Sequence, residues 1–279
     1  MYILSLDLGS TNFKVVVLKV IENDTEGEIK LVGKVRMNIT DFALFICEVI
    51  KKFDININEI EKIIVTGTGS SYIGDEYNGI EILKVNEFDA IGYGGIILSK
   101  LDEALIVSIG TGTTIVHSNL DKNVRIGGTG LGGGTLVGLG RAILGNKEEI
   151  NFKNLIDIAK RGDSKNVDLT IGDISKDDIL DMSKDITAAN FAGVSKKSND
   201  ADFIAGVVNL ILENICLLVK TLDRQLPVVF IGTMVVDDYI KNRLVEISKY
   251  TKNEYVFVDN AEFAIAIGAY EYYLLRLRV

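Results

Sequence analysis

The sequence contains little proline, cysteine or histidine. Its only proline is Pro227, so no proline-rich linker divides the chain. The two cysteines, Cys47 and Cys216, stand far apart within apolar helical patterns, and we expect both to be buried packing residues rather than a disulfide or metal pair. The single histidine, His117, follows a strand-like run and is expected to be structural.

The sequence also lacks an excess of positive charge. The formal net charge is −9, and no basic stripe interrupts the acidic balance. Because a nucleic-acid-binding surface needs such a stripe, nucleic acid is excluded as a partner. An anionic ligand is not excluded, since backbone N–H groups bind phosphate with little help from net charge.

Long uninterrupted hydrophobic runs are missing as well. The most apolar helical pattern, 203–222, is interrupted by Asn209, Glu213 and Asn214, which makes it too polar to span a bilayer unaided. Met1 is followed almost at once by the strand-like YILSLDLG, with no basic segment and no cleavage site, so we expect no signal peptide. These observations predict a cytoplasmic protein with no membrane partner.

The chain instead shows an alternation of strand and helix patterns. Of its 279 residues, 47% are hydrophobic, which is enough for one large domain or two lobes. The order strand, Gly/Thr turn, strand occurs at 2–20 and again at 104–118, and helices are predicted near 136–144, 151–161, 175–184 and 200–226. The alternation predicts an α/β fold with a partly parallel sheet and two related lobes that face a cleft.

The first Gly/Thr turn lies in DLGSTNFK, residues 7–14. Its turn residues are Gly9, Ser10, Thr11 and Asn12. Such a turn can point successive N–H groups and two hydroxyls into one concavity, which suits phosphate oxygens. Asp7, at the end of the preceding strand, is a candidate to hold Mg²⁺ through a water, because Mg²⁺ keeps several waters and takes one or two carboxylates. An ordinary hairpin is the alternative interpretation.

The second turn, IGTGTT at 109–114, contains the same types of residue, namely small residues and residues with hydroxyl groups. Two such hairpins strengthen the phosphate interpretation, since a triphosphate needs to be held from both sides. FIGTMV at 230–235 is a third strand that runs into a glycine turn. The flat surface of that turn can pack against an adenine ring, although the turn can equally be the start of a helix.

The stretch RIGGTGLGGGTLVGLG, residues 125–140, places eight glycines in sixteen positions. Glycine loses more conformational entropy on folding than any other residue, so this density needs a physical reason. The stretch is predicted to run from loop into helix, which would place free helix N–H groups among the glycines, and such groups attract anions. No lysine follows as in a P-loop, and the GxGxxG match at 128–133 follows no convincing first strand of a dinucleotide-binding fold.

Four turns resemble, in chain order, the two phosphate motifs, the adenosine motif and the closing helix of the actin-like superfamily of sugar kinases and heat-shock chaperones. They are DLGST from Asp7, IGTGT from Ile109, FIGT from Phe230 and AIGA from Ala266. The resemblance spans the whole chain and implies a two-lobed, actin-like (ribonuclease H-like) ATPase fold with a nucleotide cleft between the lobes. Residues 1–100 would form the N-terminal ribonuclease H-like lobe, and residues 101–279 the C-terminal lobe with a helical insert.

Three further segments resemble type II pantothenate kinases, which phosphorylate pantothenate in the first step towards coenzyme A. They are the glycine-rich stretch, VNEFDAIGYGG at 85–95, and DLTIGDI at 168–174 followed by DITAANFAGV. Two positions depart from the family pattern. Ser10 replaces a glycine, as in dehydratase-activating ATPases, and Ala192 replaces a glycine of the insert.

The resemblance implies a role for each matching position. Glu87 would be the general base, with Asp89 as its nearest rival, although a helix-initiating acid is the alternative for Glu87. Arg125 would hold the carboxylate or amide of pantothenate with its forked donors. The β- and γ-phosphates would be wrapped by Gly9, Ser10, Thr11, Asn12 and Lys14. The rest of the nucleotide site would contain Thr111, Thr114, Gly133, Gly134, Thr135 and Thr233.

The resulting hypothesis is a kinase that uses ATP and Mg²⁺ to phosphorylate the primary hydroxyl of pantothenate. The resemblance also implies a homodimer supported by the long helix near 200–226, and candidate inhibition by coenzyme A or its acyl thioesters. A kinase for another hydroxylated substrate, such as an N-acetyl amino sugar, is one alternative, although the sequence shows no clear sugar-binding set. The other is an ATP-hydrolysing activator with an iron–sulfur cluster, for which Cys47 and Cys216 are not suitably spaced.

Overall fold

A computed structural model describes residues 1–21, 28–37, 41–145, 150–175, 183–222 and 225–277. Within these ranges the chain folds into two main β-sheets with helices around and between them, which confirms the predicted α/β class. The helix predicted near 175–184 falls largely on residues 176–182, which lie outside the described residues.

The first sheet contains six strands in the order β3-β2-β1-β4-β6-β5. They are β1 (Tyr2–Leu8), β2 (Phe13–Ile21), β3 (Glu28–Met37), β4 (Ile60–Thr66), β5 (Glu76–Tyr77) and β6 (Ile80–Lys84). β1 pairs antiparallel with β2 and parallel with β4. Because strand side chains alternate, Leu6 and Leu8 pack in a core with helix α1 (Phe42–Phe53), and Asp7 points to the opposite face.

The second main sheet contains five strands in the order β13-β12-β7-β8-β9. They are β7 (Glu103–Ile109), β8 (Thr113–Asn119), β9 (Asn123–Thr129), β12 (Val228–Ile231) and β13 (Tyr255–Phe257). The sequence pattern missed β9, because glycines have low strand propensity and the antiparallel pairing with a distant segment, β8, holds this one extended. The glycine-rich stretch therefore begins in a strand rather than in a loop. Its connection to β8 is a hairpin, without the helical crossover of a dinucleotide-binding unit.

Helices cover both sheets. They are α2 (Glu87–Ser99), α3 (Gly133–Leu144), α4 (Phe152–Ala159), α5 (Ile171–Ile174), α6 (Asp200–Thr221), α7 (Asp238–Thr251) and α8 (Ala264–Leu277). The short strands β10 (Leu169–Thr170) and β11 (Thr187–Ala189) pair with each other in the insert. α2 and α8 pack against each other, and α8 also contacts β1 and β4 of the first sheet. The division of the chain at residue 100 into two lobes stays a prediction.

Helix α6 lies at the centre of the hydrophobic core that packs against the second main sheet. It packs against α3, α4 and α7, and Ile204, Ile211 and Ile215 on it are fully buried. Of the described helices, only α6 has the length and composition of a membrane span, and 72% of its most apolar window is buried inside the protein. The apolar face from which a homodimer was predicted therefore packs within this chain, and the homodimer stays a prediction.

The two cysteines differ. Cys216 on α6 is buried, and burial raises the pKa of its thiol to about 12. Cys47 is exposed, so the expectation that it is a buried packing residue is wrong. The physical reason is that α1 buries one stripe of side chains, including Phe45 and Val49, and Cys47 lies off that stripe.

Candidate active site

A cavity of about 850 Å³ lies between the turns of the two hairpins and the starts of α2 and α3. Its size is within the usual range of about 300–1,000 Å³ for small-molecule sites. Thirteen of the fourteen predicted site residues line it: Asp7, Gly9, Ser10, Thr11, Asn12, Lys14, Glu87, Thr111, Thr114, Arg125, Gly133, Gly134 and Thr233. The structure thus brings almost the whole predicted set together, although the roles of these residues stay predictions.

The first hairpin carries a buried ion pair. Asp7 on β1 lies directly opposite Lys14 on β2, and Lys14 Nζ donates to Asp7 Oδ2 at 2.9 Å. Both residues are buried, with exposed fractions of 4% and 7%. Removing either partner would leave an uncompensated charge in a poorly solvated place.

The second hairpin has no charge at the matching positions. Ser108 on β7 lies opposite Thr114 on β8, so two hydroxyls replace the ion pair. At the tip, the Thr111 hydroxyl lies 3.1 Å from Ser10 Oγ and 3.0 Å from Thr11 Oγ1. Hydrogen bonds between hydroxyls therefore join the two turns across the cavity. His117 lies further along β8, where its Nε2 is 2.6 Å from Glu103 Oε1.

Glu87 is the first residue of α2. Asn86 caps the helix, with its side chain accepting from the Phe88 N–H at 2.8 Å. Burial raises the pKa of the Glu87 carboxyl, and the negative charge of Asp7 raises it further. A carboxyl whose pKa is shifted towards neutral pH in a cavity is suited to exchange a proton with a ligand.

Arg125 lies on β9 and also lines the cavity. Its Cζ is 5.9 Å from the centroid of the Phe88 ring, a cation–π contact with the residue that follows Glu87. Asp89, the rival candidate for the base, is not among the described residues that line the cavity. It accepts instead from Asn123 Nδ2 at 3.3 Å. The geometry therefore favours Glu87 over Asp89 as the carboxylate available to a ligand.

The start of α3 differs from the sequence-based expectation. The Gly133 N–H donates to Gly110 O at 2.8 Å, and the Gly134 N–H donates to Thr111 O at 2.9 Å. These N–H groups were predicted to be free to bind an anion, but they donate to carbonyl oxygens of the second hairpin. A Cβ at Gly132 would lie 2.7 Å from Thr111 O, so part of the glycine density reflects close packing of backbone on backbone.

Thr135 lies next to this contact and forms hydrogen bonds to the neighbouring backbone. Its hydroxyl donates to Gly130 O at 3.0 Å and accepts from the Gly132 N–H at 3.3 Å. It is not among the described residues that line the cavity, in contrast to the prediction that it meets the nucleotide. Its hydroxyl is used in local hydrogen bonds to Gly130 and Gly132, just before α3.

Two glycines of the same stretch have no neighbour among the described residues that requires a glycine. Gly130 and Gly138 line the cavity, and a Cβ at either position would meet nothing within 4 Å among the described residues. Their small size keeps the cavity open. Sequence reasoning missed Arg141 and Phe152, which also line it. The helical spacing of Gly134, Gly138 and Arg141 could have indicated Arg141, but Phe152 depends on how α4 packs.

The arrangement of two hairpins, two sheets and an intervening cavity is that of the actin-like ATPase fold class. The activator of 2-hydroxyisocaproyl-CoA dehydratase from Clostridium difficile with bound ADPNP superposes with a TM-score of 0.66 at 18% identity, covering 100% of this chain and 98% of that chain. A ROK family protein from Streptococcus pneumoniae TIGR4 in complex with sucrose gives a TM-score of 0.58 at 12% identity, covering 100% and 99%. At these identities the likeness shows the fold alone.

The family follows from sequence comparison. The Fumble family model matches residues 101–270. The type II pantothenate kinase of Staphylococcus aureus (strain USA300) is 31% identical over 229 residues, which cover 77% of this chain and 84% of that relative. The chain belongs to the Fumble family of type II pantothenate kinases and is an ATP-dependent phosphotransferase. At the level of the family it is a kinase of coenzyme A biosynthesis.

Proposed function

We propose that this protein transfers the γ-phosphoryl group of ATP to the primary hydroxyl of pantothenate. The observation that carries the proposal is that Glu87 and Arg125 line the same cavity as both phosphate hairpins. Phosphoryl transfer asks a protein mainly for positioning and charge neutralisation, and an alcohol acceptor also needs a group that takes its proton.

Glu87 is the proposed base. The acceptor oxygen forms a bond to the γ-phosphorus, the bond from that phosphorus to the β,γ-bridging oxygen breaks, and ADP leaves. The hydroxyl proton passes to the Glu87 carboxylate. The raised pKa of Glu87 suits this task, because general-base catalysis is most effective when the pKa lies near the working pH, and it contributes about 10²–10⁴-fold.

Arg125 is the proposed anchor for the carboxylate or amide of pantothenate. Its guanidinium is exposed at the cavity and rests on Phe88, which leaves its forked donors available for a planar acceptor. Since Phe88 adjoins Glu87, the anchor and the base lie on neighbouring parts of the cavity wall.

ATP is proposed to lie along the rest of the cavity. Gly9, Ser10, Thr11, Asn12 and Lys14 face the phosphates from one side, and Thr111 and Thr114 from the other. The backbone at Gly133 and Gly134 would contact the nucleotide through van der Waals packing, because its N–H groups already donate to the second hairpin. Thr233 and Gly138 both line the cavity, and the missing side chain of Gly138 leaves room for the adenosine.

The residues around Asp7 also fit a magnesium ion held through water. A Cβ at Gly67 would lie 2.9 Å from Asp7 Oδ1, so glycine keeps space open beside this carboxylate oxygen. Mg²⁺ prefers oxygen ligands and retains several waters, which agrees with one carboxylate in its outer sphere. When bound, the ion would neutralise charge on the polyphosphate.

Other family properties extend the same proposal. We infer a homodimer, competition by coenzyme A or its acyl thioesters, and a cytoplasmic location. The two lobes, 1–100 and 101–279, would close on the cavity from opposite sides.

The test is ADP formation by the purified protein with pantothenate, with N-acetylglucosamine or with no acceptor. We expect turnover only with pantothenate, and Glu87→Gln should reduce kcat by about 10²-fold or more while ADP binding survives. Glu81→Gln is the matched control, because Glu81 is exposed and pairs with Lys62 outside the cavity. Equal turnover with no acceptor would favour an ATP-driven switch, and turnover with the sugar alone would favour an amino-sugar kinase.

A further inference from the structure

Asn123, the first residue of β9, joins that strand to helix α2. Its Nδ2 donates to Asp89 Oδ1 at 3.3 Å, and its Oδ1 accepts from Ser118 Oγ at 2.5 Å. The same side chain forms a hydrogen bond with Tyr93, one turn further along α2. One half-buried carboxamide therefore contacts the first two turns of the helix and the neighbouring strand β8.

The contact is close. A Cβ at Gly92 would lie 1.9 Å from Asn123 Oδ1, so the carboxamide lies directly on the surface of α2. An ordinary side chain at position 92 would hold the strand further from the helix. The glycine and the asparagine together set the spacing between β9 and the start of α2.

Both proposed functional groups lie two residues from this contact. On α2, Glu87 precedes Asp89 by two positions within the first turn. On β9, Arg125 follows Asn123 by two positions, which places both side chains on the same face of the strand. Arg125 contacts α2 through the ring of Phe88, and Asn123 contacts it through the hydrogen bond to Asp89.

We propose that Asn123 is a positioning residue that fixes the separation between Glu87 and Arg125. It touches no reacting atom and acts by locking the start of α2 to the strand that carries Arg125. The inference rests on the proposed function, since it assigns Glu87 and Arg125 to the two ends of one acceptor. A displacement of about 1 Å between such groups can cost up to about 10²-fold in rate.

The kinetic test is Asn123→Ala in the full-length protein. We expect kcat to fall about tenfold and the KM for pantothenate to rise about tenfold, with the KM for ATP unchanged. Asn119→Ala is the matched control: Asn119 caps the turn between β8 and β9 and accepts from the N–H groups of Asp121 and Lys122. It perturbs the same hairpin and should leave the pantothenate parameters unchanged. A uniform loss of all activities in Asn123→Ala would indicate a merely structural role and overturn the inference.

A charge swap tests the specific hydrogen bond. Asn123→Asp alone places two carboxylates against each other and should impair the enzyme at least as much as alanine. The double variant Asp89→Asn with Asn123→Asp restores an amide facing a carboxylate without a change in net charge, and should recover most of the lost kcat. Failure of the double variant to improve on the single one would contradict the proposed contact.

Hydrogen exchange separates this inference from the proposed function. In Asn123→Ala, amides of the first turns of α2 should exchange faster, while those of β1 and β2 should not change. This readout needs no substrate. If the wild-type protein does not use pantothenate, the proposed function fails while the exchange result still decides whether Asn123 holds α2. Unchanged exchange at the start of α2 would overturn the positioning role even in an active pantothenate kinase.

Discussion

The two hairpins that face each other across the cavity share one plan and differ in charge. In the first, Asp7 and Lys14 lie opposite each other in the last pairs before the turn. In the second, the corresponding pair is Ser108 and Thr114. Each turn begins with a glycine and places hydroxyls at its tip. The comparison indicates that both turns offer hydroxyls, but that the first hairpin adds a charged pair beside them where the second has a neutral one.

This asymmetry also shapes the proposed base. The charge of Asp7 contributes to the raised pKa of Glu87, although burial is the larger cause. The second hairpin has no carboxylate at the matching position, so it makes no such contribution. The proposed base is thus coupled electrostatically to the first hairpin through Asp7.

The largest expected effect comes from removing the charge of the first hairpin. Asp7→Asn leaves Lys14 buried without its carboxylate and removes the proposed magnesium partner. We expect kcat to fall about 10²-fold or more, and the melting temperature to fall as well. Ser108→Ala is the matched change in the second hairpin, and we expect kcat to change less than about threefold because it removes only a neutral hydroxyl. Equal losses in the two variants would show that the hairpins do not differ in this way.

The next effect separates packing glycines from cavity glycines. Gly132→Ala forces a Cβ to within 2.7 Å of Thr111 O on the second hairpin and should lower stability by about 1–3 kcal/mol. Gly138→Ala meets no described protein atom and should be neutral or stabilising by about 0.5–1 kcal/mol, since alanine favours helix. The KM for ATP should nevertheless rise in Gly138→Ala. Urea denaturation together with ATP kinetics measures both, and an unchanged KM would place the nucleotide elsewhere.

A smaller effect is expected in the way the melting temperature depends on pH, because of Glu87. Its pKa is raised in the folded protein, so the folded state binds more protons than the unfolded chain between the unfolded value of about 4.3 and the raised value. The stabilising contribution is present below that unfolded value and is lost as pH rises through the folded pKa. At neutral pH, Glu87→Gln should therefore melt at a higher temperature than the wild type. This difference should shrink towards pH 4, and a constant difference would contradict the raised pKa.

The smallest effect is expected at the hydroxyls that join the turns. Ser10→Gly removes one exposed hydrogen bond to Thr111 and one hydroxyl proposed to meet phosphate, but it keeps the backbone amide. We expect the KM for ATP to rise about twofold with kcat unchanged. Thr111→Val removes the hydroxyl that lies near both Ser10 and Thr11, and should raise the KM further. A larger effect from Ser10→Gly than from Thr111→Val would contradict this order.

Much of the cavity was predictable because its parts are local in sequence. A strand that ends at Asp7, turns through small residues and returns at Lys14 places both side chains at one site without help from distant residues. The helix start at Glu87 was predictable for the same reason, whereas its choice as a site residue came from the family resemblance. Phe152 and Arg141 were missed, since their approach to the cavity depends on how α3 and α4 pack.

The sequence by itself determined the alternation of strands and helices, the two hairpin turns and the residue types that they carry, because hydrophobic periodicity and turn chemistry act over a few neighbouring residues. Only the tertiary structure decided that residues 123–129 form a strand, that the amides of Gly133 and Gly134 are taken by the second hairpin, and that Asn123 rests on α2. These features depend on strand register and on backbone contacts between distant segments. No local pattern encodes such contacts, since they exist only after both segments have packed.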